Sequence, residues 1–134
     1  MRFFFDNNVS PRIAAAISIL ATQEKDEVTY LSKRFPEDAL DVQWIPVLAA
    51  EGKWIIISGD EAIQRRPAER KVFSDAKLTT FFLASAWPRA PFWDQAYFMV
   101  RWWPRIREFA QHAPAGTVVQ IPFGASGKFK ETFR

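Results

Sequence analysis

Cysteine is absent from this chain of 134 residues, and histidine occurs once, at His112. The absence of cysteine excludes a disulfide framework and a thiolate zinc site, and it fits a reducing compartment, so we expect a cytoplasmic location. No basic segment followed by an apolar stretch opens the chain, and no apolar run approaches the ~20 residues that a membrane helix needs. The sequence therefore predicts neither a signal peptide nor a membrane partner.

Charge is unevenly distributed along the chain. Residues 1–61 carry 6 Lys or Arg and 10 Asp or Glu, a net charge of −4, whereas residues 62–134 carry 12 and 5, a net charge of +7. The basic half could face a phosphate backbone, since Lys and Arg supply most of the affinity for nucleic acids. Ordinary surface charge is the alternative interpretation.

Short apolar segments alternate with helical ones. The predicted strands are Arg2–Phe5, Val28–Leu31, Trp54–Ser58, Leu78–Ala84 and Thr117–Ile121. The predicted helices are residues 10–21, a helix that enters over Pro36–Asp41 and runs to Gly52, residues 61–75 interrupted or restarted at Pro67, and Phe92–His112. Pro46 is expected to kink the second of these helices or to delay its start. This alternation predicts one α/β domain over residues 1–134, with three α/β/α layers around a parallel sheet of roughly five strands.

Two of the strands end at an aspartate. Asp6 follows Arg2–Phe5 directly, and Asp60 follows Trp54–Ser58 after one glycine. Ligands of open parallel sheets bind beyond the carboxyl ends of the strands, so neighbouring strands would hold these acids close together. Clustered carboxylates repel unless one is protonated or a cation lies between them, and oxygen ligands favour Mg²⁺ or Mn²⁺. The sequence therefore predicts a divalent metal site.

Two segments resemble the PIN-like domain family. The run Asp6-Asn7-Asn8-Val9-Ser10-Pro11-Arg12-Ile13-Ala14 is similar to the family's opening, which often reads Asp-x-Asn-Leu-Ser-Pro-x-Leu-Ala after the first strand. The run from Asp41 through Leu48-Ala49-Ala50-Glu51-Gly52 to Ser58-Gly59-Asp60 resembles its middle block, in which an acid opens a helix and a strand ends in Thr-x-Asp. The resemblance covers residues 2 to about 63 and is closest to toxins of the VapC type.

This resemblance implies a PIN-like, Mg²⁺- or Mn²⁺-dependent endoribonuclease that cleaves single-stranded or structured RNA and is paired with an antitoxin protein. Carried over by position, the catalytic and metal-binding acids would be Asp6, Asp41 and Asp60, and Asn8 would support them. Many relatives read Thr-x-Asp-x-Asp-Phe after the third strand, whereas this chain has Ala62 at the second Asp. Glu61 or Asp38 would then supply a further acid, and the sequence does not choose between them.

Residues around the third strand could serve the same site. Ser58 is a candidate hydrogen-bond donor that would orient Asp60. The cations Arg65, Arg66, Arg70 and Lys71 follow Asp60 on the next helix. They are the predicted RNA phosphate contacts, because phosphate contacts position a strand.

Aromatic residues are concentrated in the last predicted helix. This helix has more large aromatic side chains than one buried apolar face needs, namely Trp93, Tyr97, Trp102 and Trp103. They could stack on RNA bases. The alternative is that they complete the core and form a homodimer or antitoxin surface, since Trp and Tyr are enriched at interfaces.

Two other functional classes share parts of this pattern. Acids after the first and third strands also occur in phosphoacceptor receiver domains, but those need a Lys after the fifth strand, and here none occurs before Lys128. A PIN-like domain without catalysis, acting as a binding or regulatory module, is the other alternative. The missing second Asp after the third strand is the reason to consider it.

Overall fold

A computed structural model of the chain describes residues 1–59 and 67–131. The strands in this part of the chain are β1 (Arg2–Phe5), β2 (Glu27–Tyr30), β3 (Trp54–Ser58), β4 (Thr79–Leu83), β5 (Val118–Ile121) and β6 (Lys130–Glu131). The α-helices are α1 (Pro11–Leu20), α2 (Leu31–Arg34), α3 (Asp41–Glu51), α4 (Pro67–Ala76) and α5 (Phe92–His112), and a 3-10 turn covers Ala21–Glu24.

The described strands form one sheet in the order β2-β1-β3-β4-β5-β6. The first five are parallel, and only β6 is antiparallel to its neighbour. The chain moves outward from β1 to β2 and then returns to place β3 on the other side of β1. The gap beyond the carboxyl ends of β1 and β3 is therefore the topological switch point, where folds with this strand order bind their ligands.

Side chains of β1 alternate between two cores, as the two-residue period of a strand requires. Phe3 and Phe5 pack on one face with Ile17 of α1 and Trp103 of α5. Phe4 packs on the other face, where the helical partners are Trp44, Ile45 and Leu48 of α3 and Phe73 of α4. Helices thus cover both faces, and the predicted three-layer α/β/α architecture is confirmed.

Local sequence signals predicted the ends of most helices and strands to within one or two residues. Ser10 caps α1 by accepting a hydrogen bond from the Arg12 backbone N–H at 3.2 Å, with Pro11 at the first helical position, where its missing N–H is harmless. The predicted strand Val28–Leu31 is wrong by one residue at each end, because Leu31 instead opens α2. Two elements were not predicted, α2 and β6, which have four and two residues.

None of the helices described is long and apolar enough to cross a membrane.

Candidate active site

Asp6 is a buried carboxylate at the end of β1 with three donors among the described residues. Its Oδ1 accepts hydrogen bonds from the backbone N–H groups of Asn8 at 3.0 Å and Gly59 at 3.2 Å. Its Oδ2 accepts one from the Ser58 hydroxyl. Donors from the turn after β1 and from the end of β3 therefore fix the carboxylate at the switch point.

The close approach of these two segments depends on a glycine. The Asp6 N–H donates to the Ile57 carbonyl at 3.0 Å, which continues the β1–β3 pairing by one residue. A Cβ placed on Gly59 would lie 2.6 Å from the Asn8 carbonyl oxygen, which is closer than atoms can approach. Gly59 thus lets the end of β3 lie against the turn that follows Asp6.

Burial raises the pKa of Asp6 from 3.8 to about 6. The loss of hydration is the largest cause, and the hydrogen bonds from Ser58, Asn8 and Gly59 only partly offset it. The negative charge of Asp41 raises the pKa a little further, so the two carboxylates lie within electrostatic range of each other. A strongly shifted acid at a ligand-binding edge is typical of a functional site.

Asp41 is the first residue of α3, where the helix dipole favours a negative charge. Its Oδ1 accepts a hydrogen bond at 3.0 Å from the ring N–H of Trp44, one turn further along the helix. The loop before α3 is tied to the turn after β1, because the Asn7 amide donates to the Glu37 carbonyl at 2.9 Å. These contacts bring the start of α3 toward Asp6.

The chemistry of this donor set fits a hard divalent cation. Each carboxylate oxygen accepts about two hydrogen bonds or ligand bonds, so Oδ1 of Asp6 is filled by two N–H groups. Oδ2 accepts from Ser58 and, counting the described donors, keeps one position for a cation. A positive charge there would offset the desolvation of Asp6 and its repulsion by Asp41.

A complete ligand set is not visible in the described part of the chain. No cluster of three acid, His or Cys side chains that could hold a metal occurs within residues 1–59 and 67–131. Asp60 and Glu61, two of the predicted site acids, lie outside these ranges. The described residues therefore supply a pair of acids, Asp6 and Asp41.

The other predicted residues are placed as follows. Asn8 contacts Asp6 through its backbone N–H, and Ser58 donates to Asp6. Asp60, the predicted partner of Ser58, lies outside the described residues. Asp38 is exposed in the turn before α3. Lys71 is exposed on α4 and pairs with Asp75 at 2.7 Å. Among the predicted phosphate contacts, Arg65 and Arg66 lie outside the described residues, as does the Arg70 side chain.

Three contributors to the site were missed by sequence reasoning. Gly59 allows the close approach, Trp44 donates to Asp41, and Asn7 ties the two loops together. The sequence offers one usable signal, the spacing of Asp41 and Trp44 by three residues, which places them on one helix face. The contacts of Asn7 and Gly59 join distant segments and have no local signal.

A family model described as a PIN-like domain matches residues 1–85 of this chain, which is more than half of its length. The chain belongs to the PIN-like domain family. Since PIN-like domains are generally nucleases, membership supports a nuclease-type fold and a hydrolase. No curated protein sequence and no solved structure matches the chain.

The matched part of this PIN-like domain includes everything that builds the site. It runs from β1 past the end of β4 and contains both Asp6 and Asp41. Helix α5 and strands β5 and β6 lie beyond it. The family match therefore covers the edge of the sheet that holds Asp6 and Asp41, and it does not cover α5.

Proposed function

We propose that this PIN-like domain is a metal-dependent endoribonuclease that hydrolyses single-stranded RNA, and that it is the toxin of a toxin–antitoxin pair. One observation carries the proposal. A buried aspartate with a pKa of about 6, Asp6, lies at the switch point between β1 and β3 in a fold of nuclease type. Such a group needs a partner of opposite charge to stay ionised at low cost.

Asp6, Asp41 and Asp60 are the residues that would hold an Mg²⁺ or Mn²⁺ ion. Asp6 offers one position on Oδ2, and Asp41 lies near enough for its charge to affect the Asp6 pKa. Asp60 follows Gly59, whose N–H already contacts Asp6. Glu61 and Asp38 are the remaining acids proposed to support the site.

Hydrolysis of a phosphodiester needs an activated water molecule. It also needs positive charge that neutralises the negative charge of the pentacoordinate transition state. A divalent ion supplies both, since it neutralises phosphate oxygens and acidifies water. The chain's own residues contribute orientation, because Ser58 and two backbone N–H groups hold the Asp6 carboxylate in one position. Asp41, held by the Trp44 ring N–H, is the second fixed acid.

RNA binding is proposed to involve the basic segment that follows Asp60. Arg65, Arg66, Arg70 and Lys71 come within eleven residues of that acid along the sequence. Each phosphate that is neutralised releases counterions, so affinity should fall as salt rises. Replacement of Arg65 and Arg66 by Glu should weaken RNA binding and flatten its dependence on salt, and an unchanged slope would assign the segment to another role.

The direct experiment is cleavage of a labelled single-stranded RNA with Mg²⁺, with Mn²⁺ and with EDTA. Cleavage should require the metal and should be lost in Asp6→Asn and in Asp60→Asn. The double variant should be no worse than either single one, because residues that act as a unit give non-additive losses. Glu108→Gln, an exposed acid near the carboxyl end of α5, is the matched control and should cleave normally.

Three outcomes would change the proposal. Cleavage without metal, or full activity in both site variants, would contradict the mechanism. Metal binding without cleavage of any RNA would favour the alternative, a PIN-like binding module without catalysis, to which the Ala62 departure points. The toxin role is tested by expression in cells, where wild type should arrest growth and Asp6→Asn should not.

A further inference from the structure

Helix α5 exposes a row of large apolar side chains. Trp93, Tyr97 and Val100 are 79%, 57% and 46% exposed. They are four and three residues apart, so at about 3.6 residues per turn they lie on one face of the helix. We call this row the α5 stripe.

The α5 stripe is separate from the face that anchors the helix to the protein. The anchoring face is formed by Met99, Trp102, Trp103 and Ile106, which are all buried. A helix that is apolar on a second face has more apolar surface than its own fold covers. Exposed patches of this kind mark interaction sites.

Two charges flank the stripe on one side. Asp94 and Arg101 each follow a stripe residue by one position, so both lie on the same flank of α5. Both side chains are exposed, and neither forms an ion pair with another described residue. The flank therefore presents an acid and a base, seven residues apart, with no partner in the described protein.

We propose that two copies of this chain associate through α5 as an antiparallel pair centred on Tyr97. Trp93 lies four residues before this centre and Val100 three after it, so each Trp93 would pack on Val100 of the other copy. Asp94 lies three before and Arg101 four after, so each acid would meet the base of the other copy. The surface is self-complementary, as a two-fold interface requires.

The charges favour this arrangement over the other helix pairing. In an antiparallel pair, the same flank of each helix faces its counterpart. In a parallel pair, the flank with Asp94 and Arg101 would face the opposite flank, which carries the apolar residues Phe92 and Ala96. Both charges would then lose solvent without gaining a partner, which is unfavourable.

The charges also favour a second copy over a nucleic acid. Trp93 and Tyr97 could stack on bases, but such platforms lie in positively charged grooves. Here the flank carries Asp94 beside Trp93, and this acid would repel a phosphate backbone. A second copy of α5 would instead supply an ion-pair partner for both Asp94 and Arg101.

The test is the mass of the protein in solution, measured by sedimentation equilibrium. Wild type should have twice the chain mass of 15.5 kDa. Asp94→Arg and Arg101→Asp should each raise the dimer dissociation constant about tenfold or more, because like charges then face each other at two symmetric positions. The variant that combines both changes should restore the dimer, since it exchanges the signs of each pair.

Controls separate association from folding and from RNA binding. Lys33→Glu, a charge reversal on α2 at the opposite face of the sheet, should leave the mass unchanged, and thermal melting should show that every variant is folded. A wild type that is monomeric at about 100 μM, or a folded double variant without rescue, would overturn the proposal. A Trp93→Ala change that weakens RNA binding without changing the mass would assign the stripe to nucleic acid instead.

Discussion

At the scale of single residues, the Asp6 carboxylate accepts hydrogen bonds from three donors and still has a pKa well above the ordinary value. Its pKa in the folded protein is about 6 against 3.8 for an unperturbed Asp, so the native state binds a proton more tightly than the unfolded chain. A raised carboxyl pKa destabilises the fold at neutral pH, and this penalty is relieved as pH falls through 6 toward 4. In the metal-free protein, Asp6 is therefore a source of instability.

Replacing Asp6 by Asn should stabilise the metal-free protein. The gain should be about 1 to 3 kcal/mol at pH 8, since each unit of pKa shift corresponds to about 1.4 kcal/mol. The gain should shrink at pH 5, where wild-type Asp6 is largely protonated. Urea unfolding of both proteins in EDTA at the two pH values measures this difference, and a gap that does not change with pH would contradict the pKa assignment.

Gly59 is the residue on which the approach of β3 to the turn after β1 depends. Gly59→Ala should cost about 1 to 3 kcal/mol of stability, because the new methyl group would overlap the Asn8 carbonyl. The displaced backbone should also lose its hydrogen bond to Asp6 and weaken metal binding. Urea unfolding and metal titration test the two effects.

Gly52→Ala is the control for this change. A Cβ on Gly52 meets no atom within 4 Å, and the penalty arises from its φ of +82°. This variant should lose stability but keep its metal affinity, since Gly52 follows α3 at the amino end of β3, away from Asp6. Equal metal affinity in both glycine variants would contradict the role of Gly59.

At the scale of elements, α3 presents Asp41 and anchors it through Trp44. The Trp44 ring is buried, stacks on Phe4 with centroids 5.0 Å apart, and donates its N–H to Asp41. The packing contact positions the helix, and the polar contact positions the acid. One side chain thus links the core beneath the sheet to the site at its edge.

Trp44→Phe separates these two contributions. The phenyl ring keeps much of the packing on Phe4 but lacks the N–H, so metal affinity should fall about tenfold, as is typical when a partner that orients a ligand is removed. Trp54→Phe is the matched control, because it removes a ring N–H that donates to Glu51 at 2.8 Å near the opposite edge of the sheet. Metal titration should distinguish the variants, and equal losses would exclude a specific role for Trp44.

Elements with strong local patterns could be predicted from the sequence. Helix α5 was predicted with its observed bounds because Pro91 precedes it and its buried side chains recur every three or four residues. The four residues of α2 and the two of β6 are too short for any period to show. Strand β6 also depends on pairing with β5, which is a property of the folded chain.

At the scale of the whole molecule, Asp26 joins three distant parts of the chain. Its buried carboxylate accepts from the Met1 amino group at 2.8 Å and from Arg107 of α5 at 2.6 Å. These hydrogen bonds and charges hold the pKa of Asp26 below its ordinary value despite the opposing effect of burial. Asp26, which directly precedes β2, thus links the residue before β1 to helix α5.

Asp26→Asn should lower the free energy of unfolding by about 2 to 3 kcal/mol at pH 7, because hydrogen bonds between charged groups are lost from a buried position. A lowered pKa gives stability that is complete above the ordinary value of 3.8 and is lost as pH falls through the folded value. The difference from wild type should therefore shrink in acid. Glu27→Gln, which breaks an exposed pair with Arg2, should cost less than about 1 kcal/mol by the same urea measurement.

The position of the site depends on the strand order, which no local pattern encodes. The sequence placed Asp6 at the end of a strand, but the proximity of the β3 end follows from the order β2-β1-β3. Ser58 donates to Asp6, a contact that was not predicted from the sequence, because the β1–β3 register pairs Phe5 with Ile57 and places Ser58 beside Asp6. The acidic residues thus indicated the kind of site from the sequence, whereas the pairing of β1 with β3 determined which residues contact Asp6.

Calorimetric titration of the metal-free protein with Mn²⁺ tests most directly whether Asp6, Asp41 and Asp60 form one metal site. Wild type should bind the ion, and Asp6→Asn should bind it at least about tenfold more weakly, since it removes a charged ligand from the shared site. Binding near pH 6 should also release a proton, because the ion competes with the proton that Asp6 holds at this pH. Equal affinity in wild type and Asp6→Asn, with no proton release, would contradict the account.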